Sequence, residues 1–144
     1  MTADNIYWYA GILIFIPWAY LIFLPNGRHT DRVGLAAAFV LLALGAFFTL
    51  RYLTTPLDDG GSLFSLDSLK NLFRSHEMLL SGWLNYLSFC LFAGTWQSHD
   101  SRQIKLPHVW TIPSLLLTML AGPSGLLLYM VVRWAKTGSW SKGV

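Results

Sequence analysis

The chain has 144 residues, of which 54% are hydrophobic, 15% aromatic and only 12% charged. A mean hydropathy of +0.48 leaves too little polar surface to coat a soluble globule of this size, which excludes an ordinary water-soluble enzyme. The formal net charge of +3 does not indicate nucleic acid as a partner, because the basic residues are scattered singly rather than gathered on one face.

All ten basic and seven acidic residues lie outside four stretches, roughly 5–27, 33–50, 78–99 and 106–132. A hydrocarbon core of ~30 Å needs about 20 apolar residues in a helix, and inside lipid every backbone N–H and C=O must be paired within the segment. The expectation is therefore an all-α integral membrane protein, a single domain over residues 1–144. It has four transmembrane helices at about 6–24, 33–53, 76–97 and 107–134, and a short amphipathic surface helix at about 63–74 between the second and third.

The first span opens with Tyr7, Trp8 and Tyr9, rings suited to the membrane interface. It lacks a basic n-region and is too long and aromatic for a cleaved signal peptide, so it is expected to remain. Pro17 should kink it, and Pro25-Asn26-Gly27 ends it in a turn. The second span carries Gly34, Ala36, Ala37, Ala38, Ala43, Gly45 and Ala46, small residues that let backbones approach closely in lipid. Leu63, Leu66, Leu69, Leu72 and Phe73 then recur at helical spacing, which reads either as an interfacial helix or as a cap on the bundle.

The third span follows from His76. After a polar turn with His99, Asp100 and Arg102, Pro107 opens the fourth. That span is long and holds Pro113 and Gly122-Pro123-Ser124-Gly125, which predicts a tilt or a kink near Pro123. Four spans would put both termini on one side. Arg28, Arg32, Arg102 and Lys105 would face Arg51, Lys70, Arg74, Arg133, Lys136 and Lys142 across the membrane. The larger set argues for termini inside, the charge-poor N-terminus for the reverse.

Polar residues within a span are the default functional candidates. Glu77, Ser81, Asn85 and Ser88 form one stripe on the third helix; His108, Thr111, Thr118, Gly122, Gly125 and Tyr129 form another on the fourth. The two are expected to meet, with Gly82, Gly94, Gly122 and Gly125 as packing positions, so both helix-to-helix bonding and a binding surface fit them. Cys90, the only cysteine, is expected mid-membrane and has no disulfide partner in the chain. His76 and Glu77 lack companions for metal ligation, and the spacing of His99, Asp100 and His108 matches no metal signature, so no metal site is expected. Trp83 stands deep in its span; an indole there either fills space or lines a groove for a flat, conjugated or prenyl ligand.

The run Ser81-Gly82-Trp83-Leu84-Asn85-Tyr86 through Leu91-Phe92-Ala93-Gly94-Thr95-Trp96, then Asp100, His108-Val109-Trp110-Thr111 and Gly122-Pro123-Ser124-Gly125, resembles the abscisic-acid-deficient-4 family. Its plant members are linked to the formation of neoxanthin from violaxanthin, and its bacterial members are small four-span proteins. In the family pattern histidine commonly stands at Asn85 and aspartate at Cys90. Asparagine bonds but does not titrate, and a thiol is a weak donor, so an acid and base for epoxide opening are missing where the resemblance would put them.

The function expected from this combination is binding. The protein holds a carotenoid or other isoprenoid lipid, or serves as an accessory subunit of a larger, pigment-bearing photosynthetic complex, in a bacterial inner or photosynthetic membrane. Trp83, Asn85, Tyr86, Cys90 and Thr118 would line the contact. No cofactor other than a carotenoid ligand is implied, and membrane lipids are the other partners. The rival is a xanthophyll-epoxide isomerase of the neoxanthin-synthase type, using Glu77, Asp100 and His108 from the rims. A channel or transporter is disfavoured by the absence of a polar pore lining.

Overall fold

The computed structural model describes residues 3–27, 29–54 and 64–138. Arg28, Leu63, Trp140 and Lys142 lie outside them. The secondary structure of the described residues is all helix: α1 (Ala3–Leu13), α2 (Phe15–Phe23), α3 (Thr30–Thr54), α4 (Leu66–Leu72), α5 (His76–Gln103), α6 (His108–Ala121) and α7 (Pro123–Thr137).

Three helical segments are long and apolar enough to cross a membrane: Asn5–Phe23, Thr30–Thr54 and His76–Gln103. Phe23, Phe39, Phe47, Leu50 and Phe89 are among the large apolar side chains left more than half exposed on them. So much outward-facing hydrocarbon suits lipid rather than water. The first segment is α1 and α2 end to end, with a break at Ile14 rather than at Pro17 itself. Proline lacks an N–H and its ring crowds the carbonyl four residues back, so the irregularity appears upstream of it.

The spine of the molecule is the antiparallel pair α3 and α5. The buried face of α3, Gly34, Ala38, Leu41, Gly45, Phe48 and Tyr52, recurs at alternating steps of four and three, the spacing that keeps one seam on a partner helix. Gly34 meets Thr95 and Gly45 meets Asn85. Ser88 donates to the Ala38 carbonyl at 2.7 Å, and Ser81 to the Gly45 carbonyl at 2.8 Å. Thr49 and Ser81 share a hydroxyl bond of 2.6 Å, and Arg51 pairs with Glu77 at 3.1 Å. The stripe on α5 that sequence spacing paired with the fourth hydrophobic stretch therefore faces the second instead. α2 packs on another side of α5, where a Cβ on Gly94 would come within 2.7 Å of the Trp18 ring.

The expected fourth span over 107–134 is corrected. It is two helices, not one: Gly122 adopts φ +43° and ψ −97°, and the chain doubles back there. α6 and α7 touch so closely that a Cβ on Gly125 would overlap the Thr118 backbone. At 14 residues, α6 is about 21 Å long, short of a ~30 Å core. Its far end lies against Tyr86 and Cys90, near the middle of α5. α7 returns to the level at which α6 began, where Val132, Ala135 and Lys136 lie beside Leu106, Pro107 and Trp110. A re-entrant hairpin is compatible with a bilayer when its turn is protein-buried. Here Gly122 is buried although Ala121, Pro123 and Ser124 beside it are exposed; the Gly122 N–H bonds the Thr118 carbonyl at 2.9 Å, and Pro123 has no N–H to satisfy.

This hairpin changes the placement of charge. Lys136 and Arg133 lie at the same end of the bundle as Arg32, Arg102 and Lys105, not opposite them; the first described helix starts at the Trp83 end and the last one ends at the other.

Between α3 and α5, α4 begins at Ser65, whose hydroxyl caps the Ser68 N–H at 3.1 Å. It is shorter than the expected 63–74. Leu72 turns inward, Phe73 packs on Gly82, and Ser75 takes an extended conformation from which α5 starts.

Candidate functional site: an apolar groove between α5 and α7

α5 runs on past the hairpin turn, and the divergence of α7 from it opens a groove of about 680 Å³. From α5 come Tyr86, Phe89, Cys90, Phe92, Ala93 and Trp96; the hairpin contributes Gly122, Pro123, Leu126 and Met130. The spacing along α5 is three or four residues, so a single helical face supplies that wall. The volume falls within the ~300–1,000 Å³ of small-molecule sites, and the near-absence of polar lining is what such sites show. Its polar atoms are the Tyr86 hydroxyl, which makes a long 3.4 Å bond to the Leu120 carbonyl, and the Cys90 thiol. A Cβ on Gly122 would stand 3.1 Å from the Cys90 sulfur and 3.2 Å from the Tyr86 ring, so glycine there keeps the groove's closed end open.

Of the five residues expected to contact a ligand, Tyr86 and Cys90 line this groove. Trp83 stacks on Tyr86 with ring centres 5.9 Å apart and meets the Tyr7 ring at a tilt of 40°, also at 5.9 Å, which continues the aromatic wall beyond the groove. Asn85 faces Gly45 of α3. Thr118 is enclosed between α5 and the hairpin, accepting from the Gln97 amide at 2.8 Å and donating to the Ser114 carbonyl at 2.7 Å. Gly82, Gly94, Gly122 and Gly125 all stand at close approaches.

The three acid–base candidates do not converge. Glu77 is paired with Arg51 near the start of α5, whereas Asp100 lies 23 residues further on, about 34 Å along the helix. Asp100 is 4% exposed and held by Arg133, 1% exposed, through Nε–Oδ2 at 2.8 Å and Nη2–Oδ1 at 3.2 Å. The Tyr129 hydroxyl donates to the same Oδ2 at 2.6 Å. His108 Nε2 lies 2.8 Å from the Ile22 carbonyl. Among the described residues no group of three His, Cys, Asp or Glu is placed to hold a metal ion.

Sequence reasoning put Asp100 in a surface turn and counted Arg133 as a topology charge; their union was missed. The signal was present, since Tyr129 and Arg133 sit four apart on one helical face and an arginine flanked by Val131, Val132 and Trp134 needs an internal partner. Trp96 connects this cluster to the groove, lining the latter while its ring meets Tyr129 edge-on at 5.6 Å.

The family model described as ABA DEFICIENT 4-like matches residues 5–129, which takes in the three candidate spans, α6, the Gly122 turn and all of the groove lining but Met130. The chain belongs to the ABA DEFICIENT 4-like family. No curated protein and no solved structure is matched. The match ends within α7, four residues short of Arg133, so both the Gly122-Pro123 turn and Tyr129 fall inside the family's extent.

Proposed function

We propose that this member of the ABA DEFICIENT 4-like family binds an elongated isoprenoid, of the carotenoid class that the family resemblance implies, in the groove between α5 and α7. The observation that carries the reading is the groove itself. It is about 680 Å³, almost wholly apolar, at mid-bundle depth and walled by Tyr86, Phe89, Phe92 and Trp96, with Trp83 and Tyr7 extending the aromatic surface. A conjugated chain gains both burial and ring contact on such a wall. Tyr86 and Cys90 are the groups that would meet a hydroxyl or epoxide oxygen.

The binding reading is favoured over the isomerase reading by the placement of charge. The Asp100 carboxylate is engaged by Arg133 and Tyr129, Glu77 is at the far end of α5, and His108 is bonded to a backbone carbonyl. An epoxide isomerase needs a proton donor and acceptor within reach of one ligand, and the groove walls offer only a phenol and a thiol. An accessory role in a larger pigment-bearing assembly is consistent with the same groove.

The test is production in a carotenoid-synthesising host, purification in mild detergent, and extraction of retained pigment. Stoichiometric pigment in the parent and loss of it in Ala93→Phe, which fills the groove, are the expected results. Pigment-free protein from such a host would refute the reading, as would an Ala93→Phe variant that keeps its pigment. A retained carotenoid chemically changed from the host's own would instead establish the isomerase.

A further inference from the structure

A second cleft lies where the hairpin opens, at the end of the bundle opposite Glu77. It has a volume of about 320 Å³ and is lined by Leu106, Pro107, Trp110, Val132, Ala135 and Lys136. Four of these are aliphatic and Trp110 adds an indole, 63% exposed, at the depth where indoles favour the membrane interface. Lys136 stands in the lining and is exposed. Lys105, immediately before Leu106, is exposed and held at φ +53°, a left-handed conformation that L residues with side chains adopt at a cost.

Neither lysine makes an ion pair with a described residue. The carboxylates at this end are engaged: Asp31 by Arg102 and His99, Asp100 by Arg133. α6 begins here with Pro107 at its N-cap and no side-chain cap, so the positive end of its dipole faces the cleft mouth as well. An apolar slot at a membrane surface, with Lys136 in its lining and Lys105 one residue before it, neither ion-paired with a described residue, has the chemistry of a phospholipid with an anionic headgroup.

We propose that this cleft is a binding site for an anionic phospholipid, one acyl chain lying between the open ends of α6 and α7 and the phosphate held by Lys105 and Lys136. The site is separate from the isoprenoid groove and does not depend on it. Its consequence is structural: the lipid closes the open end of a hairpin whose closed end is at Gly122, and it favours the orientation that puts this end at the anionic leaflet.

The experiment titrates the purified full-length protein in detergent with phosphatidylglycerol and with phosphatidylcholine of the same acyl chains, reading bound lipid by native mass spectrometry. The parent retains phosphatidylglycerol preferentially. Lys105→Gln with Lys136→Gln loses that preference by about fivefold per lysine, while Lys70→Gln with Arg74→Gln, which removes the same charge from the opposite end, leaves it intact. Both lysines are exposed, so the fold is expected to survive, as circular dichroism would verify. Equal retention of the two lipids overturns the proposal, and so does an unaltered preference in the Lys105/Lys136 variant. Complete displacement of the lipid by millimolar inorganic phosphate also overturns it, by showing a bare anion site without a chain slot.

Discussion

Arg133 grips Asp100 with two hydrogen bonds, 2.8 Å and 3.2 Å, across 33 residues of chain, and this pair locks the returning arm of the hairpin to the central helix. Removing one partner leaves an uncompensated charge in a buried site, at a cost of about 3–5 kcal/mol, whereas replacing both with apolar residues costs far less. Asp100→Leu and Arg133→Met alone should each lower the thermal unfolding temperature in detergent steeply. The double variant, built with Tyr129→Phe so that the phenol that also bonds Asp100 is not left without its acceptor, should recover most of the loss. A double variant no better than the worse single would show that the pair does not act as a unit.

Gly125 is where α7 crosses the Thr118 backbone, with no room for a Cβ. Gly125→Ala should destabilise the protein by about 1–3 kcal/mol, since backbone rather than a flexible side chain must yield. Gly11→Ala is the matched control: nothing lies within 4 Å of its would-be Cβ, and alanine is the better helix former, so stability should hold or rise slightly. Thermal melts of the two variants side by side decide the matter; equal melts would refute the close crossing.

Three spans and a re-entrant hairpin place α7's end on the same face as the α2–α3 turn. In a cysteine-free background made with Cys90→Ala, single cysteines at Asn26 and Lys136 should react with an impermeant maleimide from one side of sealed vesicles. Those at Asn5 and Ser75 should react from the other. The basic residues at the hairpin end, Arg32, Arg102, Lys105 and Lys136, against Arg51, Lys70 and Arg74, predict that the first pair is cytoplasmic. Labelling of Lys136→Cys together with Ser75→Cys would restore a fourth crossing.

Ser88 bonds the Ala38 carbonyl across the α3–α5 seam. Interhelical bonds of this kind in membranes average about 0.6 kcal/mol, so Ser88→Ala should cost little in a melt. Ser88→Leu, which forces the seam apart, should cost several times more. A large loss in Ser88→Ala would mean that polar bonding, rather than close packing, holds α3 to α5.

Much of this architecture was legible in the residues alone. Four charge-free stretches of sufficient length were marked, and three of them are the helices long and apolar enough to cross a membrane; the small residues Gly34, Ala38 and Gly45 marked a tight seam, and leucines at helical spacing marked a short helix before α5. These are local properties: helical periodicity, length against bilayer thickness, and side-chain size act within one segment. What the residues did not disclose was partnership. Ser81, Asn85 and Ser88 have the same spacing whichever helix they face, and only the assembled bundle turned them toward α3.

The fate of residues 107–134 was likewise a tertiary decision. Hydropathy measures how apolar a segment is, not whether it crosses, and a largely apolar segment of 28 residues makes one tilted span or two half-depth helices equally well. The choice rests on backbone torsions at Gly122 that glycine adopts readily. It rests also on the fit of Gly125 against Thr118, and on a carboxylate in α5 that an arginine in α7 reaches only if the chain turns back. Those contacts join residues far apart in the chain, so their energies exist only once the helices are in place, and the groove exists because of them.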